Sequence, residues 1–297
     1  MNEDSFSKLN PVISFLFFIS AVVMGMFFVH PVLTGCSAVS GLIYYFTIKK
    51  RAGFRFLIFL ACAFAVLSAI NPLFNAGGSI VLFTYFGRPY TFESLLYGMS
   101  LAGMVVSVLC WFACYNAVMT SDKFIYIFGR ILPALSVVLT MILRLIPEFK
   151  KKAGQIITAR RCIGMAGDSS LNKKEKIRNG TVVLNALTVW ALENAITSAD
   201  SMNARGYGSG RRTNYKNYRF GRSDIIGTSV MAALVAFIIV CAANGGARAS
   251  FIPELDISWF GNPWMTAACI SYTVFLLIPS VFNIKEAITW RILRSGI

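Results

Sequence analysis

Two arginine motifs are the residues of this sequence best suited to binding a partner. The first is Ala159-Arg160-Arg161, within ITARRCIG, and the second is Ala204-Arg205-Gly206, within SMNARGYG. A guanidinium group carries five N–H donors in a rigid fork, so it can bind carboxylates or helix-end carbonyl groups in a defined orientation. Each motif could therefore bind acceptor groups of another molecule.

Each motif also resembles an ordinary helix end. Gly206 is a natural residue for the left-handed position just past a helix, and a cation in the last turn interacts favourably with the helix dipole. Capping alone explains either motif taken singly. The occurrence of both at the ends of two long predicted helices favours a shared binding role.

Two long helical arms are predicted to carry the motifs. Apolar residues recur with helical spacing in ILPALSVVLTMILRLIPEF from Ile131 and in VVLNALTVWALENAITSA from Val182. We expect arms at about Ser136 to Cys162 and about Thr181 to Arg205, joined by the polar loop GMAGDSSLNKKEKIRNG. They should be amphipathic, with their apolar sides against each other and against the membrane bundle.

An alanine repeat in the second arm is predicted to let the two helices approach closely. Ala191, Ala195 and Ala199 recur at every fourth residue and so form a smooth strip on one side of a helix. This strip is the predicted packing surface between the two arms.

The rest of the chain has the composition of a membrane protein. It has 297 residues, of which 56% are hydrophobic and 14% charged, and a mean hydropathy of +0.64. A hydrocarbon core of about 30 Å needs roughly 20 apolar helical residues. Six runs free of charged residues fit this need, at about 11–29, 31–48, 56–70, 95–119, 225–243 and 264–282. The first run is expected to stay in the mature chain, because it lacks a clear cleavage site.

The basic residues predict the orientation of these spans. With six spans, 26 of the 28 Lys and Arg residues fall on one side, and only Arg88 and Arg248 fall on the other. Basic residues accumulate in cytoplasmic loops, so both termini and both arms should be cytoplasmic. We expect one integrated all-α, polytopic bundle, with membrane helices one to four in 1–119, the two cytoplasmic arms in 120–223 and membrane helices five and six in 224–297.

The sequence resembles the transmembrane T component of energy-coupling factor (ECF) transporters, a CbiQ-like family. The resemblance covers most of the chain and includes NPLFNAGG from Asn71, RPYTFESLLYG from Arg88, LRLIPEF from Leu143 and the two arginine motifs. It implies a non-catalytic coupling subunit in a prokaryotic cell membrane. Its partners would be two ABC-type ATPase subunits, which bind ATP and Mg, and a membrane S component that selects a vitamin or another micronutrient.

The resemblance also assigns a role to the motifs, since the family's Ala-Arg-Gly motifs each insert into a groove of one ATPase. Ala204-Arg205-Gly206 matches fully. The first motif has Arg161 where the family has glycine, so either Arg160 or Arg161 is the docking residue. Arg211, Arg212, Lys216, Arg219 and Arg222, among tyrosines, are expected at the anionic inner leaflet.

Other functions are less well supported by the residues. No G-x-x-x-x-G-K-[ST] phosphate loop is present, so the chain would take its energy from another protein. Ionisable residues are missing from the six spans, which disfavours a channel or a secondary transporter. One histidine and no His, Cys or carboxylate cluster disfavour a metal site, and Cys110 and Cys114 are interpreted as packing residues.

Three further functions are an enzyme, a nucleic-acid-binding protein and a scaffold. No nucleophile motif indicates an enzyme. The net charge of +15 could indicate nucleic-acid binding, but the basic cytoplasmic loops of a membrane protein account for it. A scaffold that docks some other complex through the same arms stays open. Near the outer face, Glu93 and Arg88 are interpreted as loop and helix-start residues, with Thr91 capping the helix.

Overall fold

The chain is almost entirely helical in the computed structural model. The model describes residues 6, 10–49, 53–75, 80–85, 88–131, 133–164, 173–210, 221–246, 249–250, 256–257 and 263–295. The helices in chain order are α1 (Pro11–Phe27), α2 (Pro31–Lys49), α3 (Gly53–Phe74), α4 (Phe92–Val118), α5 (Ser121–Ile131), α6 (Pro133–Cys162), α7 (Lys173–Ala204), α8 (Arg222–Cys241) and α9 (Pro263–Ser295). A π-helical turn, Ala242–Gly246, follows α8.

The chain divides into two compact units. The first comprises Met1–Phe124 and Tyr218–Ile297, and the second comprises Ile125–Asn217. The first unit holds α1 to α4, α8 and α9, and the second holds α6 and α7. The second unit lies within the region 120–223 that the sequence assigns to the coupling helices.

The membrane spans predicted from the sequence are all helices of the first unit. Among the described residues, α2, α3, α4, α8 and α9 are long and apolar enough to cross a membrane, and α1 is a shorter apolar helix of 17 residues. The arm helix α7 meets the same criteria of length and composition over Lys174–Ala204. The protein is therefore a multi-pass helical membrane protein, and the location of α7 needs an argument from charge.

Helix α4 lies at the centre of the first unit, where it contacts α1, α2 and α3. Its Trp111 is fully buried beside Phe17, Phe18 and Tyr44, with ring centroids 5.7 to 6.4 Å apart. The Trp111 indole Nε1 donates a hydrogen bond to the Ser37 hydroxyl at 3.1 Å. This bond satisfies the buried donor and fixes the register of α4 against α2.

The approach of α4 to α3 depends on a glycine. A Cβ atom at Gly98 would lie 2.9 Å from the Asn71 Cβ and 3.0 Å from the Ser68 carbonyl oxygen. Any side chain at this position would push the two helices apart.

A short antiparallel hairpin precedes α4, formed by β1 (Val81–Tyr85) and β2 (Arg88–Thr91). The Thr91 hydroxyl accepts the Ser94 amide at 3.4 Å, which confirms the predicted cap of α4. The Glu93 carboxylate is 2% exposed and accepts the Ile80 amide at 3.1 and 3.3 Å, so it ties the hairpin to the start of the helix. A second pair, β3 (Ala249–Ser250) with β4 (Asp256–Ile257), lies between α8 and α9.

The cysteines of the first unit lie mostly at helix contacts. Cys110 and Cys114 are buried, and the Cys114 thiol donates to the Gly41 carbonyl oxygen of α2 at 3.6 Å. The Sγ atoms of Cys36 in α2 and Cys269 in α9 lie 3.9 Å apart. These contacts agree with the interpretation of the cysteines as packing residues.

The two arms of the second unit differ from the prediction most at the start of α7. Helix α6 begins at Pro133, three residues before the predicted Ser136, and ends at Cys162 as predicted, with Pro147 inside it. Helix α7 begins at Lys173, eight residues before the predicted Thr181. The prediction of a loop up to Gly180 was wrong because Lys, Glu and Arg, which dominate KKEKIR, have high helix propensity even where no apolar pattern is present.

Candidate functional site

The second arginine motif stands at the end of α7. Gly206 has a φ of +76° and donates its amide to the Asn203 carbonyl at 3.0 Å, while the Tyr207 amide donates to the Met202 carbonyl at 3.0 Å. This pair of bonds is a Schellman motif, which needs a left-handed residue and so favours glycine. Ala204, Arg205 and Gly206, the α7 tip, are all exposed.

The first motif stands further inside its helix. Gly164 has a φ of +75° and donates its amide to the Arg161 carbonyl at 3.0 Å, so it ends α6 as Gly206 ends α7. Arg205 directly precedes its left-handed glycine, whereas Arg160 precedes Gly164 by four residues. At about 1.5 Å per residue, Arg160 lies some 4.5 Å deeper along its helix than Arg205 does.

The two candidate arginines of the α6 tip, residues Ala159 to Gly164, have different surroundings. Arg160 is half-buried, and its Nη2 donates a hydrogen bond to the Asn179 Oδ1 of α7 at 3.1 Å. The Arg160 Nε is buried and has no hydrogen-bond partner among the described residues. Arg161 and Ala159 are exposed. The structure thus distinguishes two residues that the sequence leaves equivalent.

Arg160 is one end of a seam between the arms, formed by Phe149, Lys152 and Arg160 of α6 and by Asn179 and Trp190 of α7. The Phe149 and Trp190 rings meet edge to face with centroids 5.4 Å apart. The Lys152 Nζ lies 5.8 Å from the Trp190 ring centroid, within the range of a cation–π contact. We call this set the inter-arm seam.

The pairing along the inter-arm seam is antiparallel. Phe149 meets Trp190, and Arg160, eleven residues later, meets Asn179, eleven residues earlier. Ile156, Val183 and Leu187 fall between these contacts at helical spacing and are half-buried. The end of α6 therefore lies beside the beginning of α7.

This arrangement separates the two arginine motifs widely. Asn179 marks the α6 tip, and Arg205 follows it by 26 residues, all but the last within α7. At about 1.5 Å per helical residue, the two tips lie roughly 39 Å apart. Among the described residues, the guanidinium groups of Arg161 and Arg205 form no hydrogen bond or ion pair. Both are free to bind another molecule.

The predicted alanine strip lies mostly on the surface. Ala191 is half-buried, whereas Ala195 and Ala199 are exposed. The packing role of these residues stays a prediction. A separate row of apolar residues on α7 is also exposed, with Val182 at 48%, Val189 at 59%, Leu192 at 63% and Ile196 at 65% exposed. We call this row the α7 apolar stripe.

The sequence reasoning missed the residues that join the arms. Phe149, Trp190 and Asn179 carry the inter-arm contacts, but none was singled out. The repeat Val183, Leu187 and Trp190, at spacings of four and three, was the available signal for a helix pair. Asn179 gave no such signal, because an asparagine in a polar run has many equivalent interpretations.

Two further sequence predictions concern a metal site and the basic tail after Gly210. In the part of the chain that the structure describes, no group of three or more His, Cys, Asp or Glu side chains could hold a metal ion. The basic tail predicted at the inner leaflet begins after Gly210, and its residues 211–220 lie outside the described residues.

Comparison with known protein families identifies the chain's family. The family model described as "Cobalt transport protein" (CbiQ) matches residues 3–215, which include α1 to α7 and both arginine motifs. No curated protein matches the chain.

Proposed function

Because the chain belongs to the CbiQ family of cobalt transport proteins, we propose that it is the membrane coupling subunit of an ECF-type ABC importer. In this proposal α6 and α7 are the coupling helices, and each tip binds one ATPase subunit. ATP-driven closure of the ATPase pair moves the two arms, and the arms pass the movement to a substrate-binding membrane subunit. The chain itself is not catalytic, since ATP and Mg are bound by the ATPases.

The observation that carries the proposal is the pair of exposed arginines at opposite ends of the antiparallel arms. The tips lie roughly 39 Å apart along α7. A globular subunit of some 250 residues has a diameter of about 45 Å. The separation is too large for one groove and fits one docking point on each of two adjacent subunits.

The charge distribution supports a cytoplasmic location for α7, although its length and composition would permit a span. If α7 crossed the membrane, the twelve basic residues from Lys123 to Arg178 and the six from Arg205 to Arg222 would lie on opposite sides. Such a division contradicts the tendency of basic residues to remain in the cytoplasm. Glu193 and Asp200, both exposed on α7, would also enter the hydrocarbon.

The α7 apolar stripe supports contact with a membrane subunit. Leu192 and Ile196 are 63% and 65% exposed on a helix whose opposite side already contacts α6. A soluble partner alone leaves no reason for a second apolar side on a cytoplasmic arm. We assign this stripe to the substrate-binding S component, whose own apolar helices could cover it.

The substrate class follows from the family. Its description names cobalt, so a transition-metal ion is one candidate, together with a vitamin or another micronutrient. The proposal places the choice of substrate in the S component. The coupling subunit then needs only to bind that component and transmit movement to it.

Co-purification tests the proposal most directly. The chain is co-expressed with its two ATPase subunits and S component, extracted in mild detergent and captured by a tag on the chain. The Arg205→Glu variant should lose one ATPase by at least about tenfold, because a buried interface arginine is a typical hot spot. The S component should remain bound.

The matched control is Lys151→Glu, which makes the same charge change at an exposed position in the middle of α6. It should retain both ATPases. Equal ATPase recovery from Arg205→Glu and the unmodified chain would exclude docking at the α7 tip. Capture of an unrelated cytoplasmic complex with no ATPase would favour the scaffold alternative.

A further inference from the structure

We propose that the adjacent arginines of the α6 tip have different tasks: Arg161 binds the ATPase subunit, and Arg160 holds the tip in position through Asn179 of α7. This inference rests on the proposed function. It departs from the family pattern, in which the arginine directly after the alanine is the docking residue and would here be Arg160.

The surroundings of Arg160 are those of a packing residue. One of its five donors is used in the bond from Nη2 to the Asn179 Oδ1 at 3.1 Å, and its Nε is buried. To bind an ATPase, the guanidinium would have to leave Asn179 and expose its stem. Asn179 would then lose the only described partner that reaches it from the other arm.

Arg161 has the surroundings of the docking residue at the other tip. Like Arg205, it is exposed, and its guanidinium has no hydrogen bond or ion pair among the described residues. Like Arg205, it belongs to the last turn before a left-handed glycine, and its carbonyl accepts the Gly164 amide at 3.0 Å. Its five donors are available to a partner.

Helix geometry directs the two arginines to different sides of α6. Successive residues of a helix point about 100° apart, so if Arg160 faces α7, Arg161 faces away from it. Arg161 shares its side of α6 with Ile157, four residues earlier, and Lys150, eleven residues earlier, and both are exposed. This side can meet a separate subunit while the inter-arm seam stays closed.

The same geometry describes the groove that would receive Arg161. Its floor should carry carboxylates or the carbonyl groups of a helix end, because these acceptors match the guanidinium fork. Its wall should be apolar near the helix, since Ile157 is 37% exposed one turn before Arg161. A second basic residue, Lys150, lies further along the same side and favours an acidic rim.

Alanine variants of the full complex separate the two roles. The measured quantity is the amount of each ATPase captured per chain. Arg161→Ala should reduce the ATPase at the α6 tip about thirtyfold, as for a hot-spot arginine. Arg160→Ala and Asn179→Ala should each reduce it about threefold, and the double variant should be no worse than either, because both changes remove one contact.

An exchange of the two partners gives the sharper test. The double variant Arg160→Asn with Asn179→Arg restores a possible hydrogen bond between the arms but removes the guanidinium from position 160. Capture should return to near the unmodified value if Arg160 only positions the tip. A purely local loss of folding would not be repaired in this way.

Two results would count against these assignments. Loss of capture with Arg160→Ala and with the exchange variant, but not with Arg161→Ala, would overturn the inference and make Arg160 the docking residue. Arg205→Ala is run in parallel to test the proposed function itself. If Arg205→Ala keeps both ATPases, and the double variant Arg160→Ala with Arg161→Ala also keeps both, the docking function fails. This inference then fails with it.

Discussion

The two tips carry the same chemical group but differ in mechanical support. The α6 tip lies against the beginning of α7, with Arg160 bonded to Asn179 and Phe149 in contact with Trp190 further back. The last third of α7 is more open. Between Leu192 and Ala204, only Asn194 and Met202 are half-buried, and the other residues are exposed.

This difference indicates what each arm requires from its partners. The α6 tip is held in place by contacts within the chain, so the backbone at the adjacent Arg161 is already positioned before a partner binds. The α7 tip depends on the stiffness of its own helix and on the Gly206 cap. Binding to the α7 tip should therefore be more sensitive to changes in the cap, and binding to the α6 tip more sensitive to changes in the inter-arm seam.

Removal of Trp190 should have the largest effect on the difference between the two tips. It loosens the contacts that support the α6 tip and so makes that tip more like the α7 tip. Trp190→Ala deletes the contacts with Phe149 and Lys152 and should cost about 2 kcal/mol, less than a fully buried tryptophan. The readout is disulfide formation between cysteines introduced by Ile156→Cys and Val183→Cys, with Cys162→Ser as background. The rate should fall markedly.

Trp190→Phe is the control for this experiment, because it keeps an aromatic edge against Phe149 and should retain most of the cross-linking. Capture of the ATPase at the α6 tip should fall with Trp190→Ala, while capture at the α7 tip should not change. An equal loss of ATPase capture at both tips would mean that the two arms respond as one rigid body. It would contradict the proposed difference in support between the tips.

Substitution of the two glycine caps should have a smaller effect than Trp190→Ala. It should weaken binding at the α7 tip more than binding at the α6 tip. Gly206→Ala places a side chain at a φ of +76°, which costs about 1 kcal/mol, and its Cβ would lie 3.1 Å from the Ser209 hydroxyl. Because Arg205 is the adjacent residue, ATPase capture at this tip should fall about fivefold. Gly164→Ala has a similar φ of +75°, but its Cβ would meet no atom of the described residues within 4 Å.

Gly164→Ala should change capture less, since Arg161 lies three residues inside the helix and keeps its orientation. Asparagine tolerates the left-handed conformation, so Gly206→Asn should restore part of the binding. A larger loss from Gly164→Ala than from Gly206→Ala, measured in the same co-purification, would reverse the assignment of sensitivities.

The sequence predicts the elements better than their pairing. The apolar runs locate α1 to α4, α8 and α9 of the first unit and the body of both arms, because length and hydrophobicity are local properties. The Gly206 cap is also local and was foreseen. The start of α7 was missed, since a polar run with good helix formers has no apolar period to reveal it.

The different roles of Arg160 and Arg161 could not be predicted from the motif. They depend on which side of α6 meets α7, and this is set by the antiparallel register that places Arg160 beside Asn179. Nineteen residues separate these two positions in the sequence. A local motif contains no information on such a contact, so the alanine-arginine pattern alone treats both arginines as candidates.

Substitutions in the alanine strip should have the smallest effect. They test how far along α7 the contact with α6 extends. Ala191→Leu should weaken cross-linking between the arms, by about 1 kcal/mol or less, because Ala191 is half-buried beside Trp190. Ala195→Leu and Ala199→Leu add side chains at exposed positions, so cross-linking should not change. Serine at the same positions should be tolerated throughout.

If Ala195→Leu or Ala199→Leu instead reduces capture of the S component, the predicted close approach at these alanines is to that subunit and not to α6. The exposed last third of α7 would then be the surface that transmits movement from the arms to the S component.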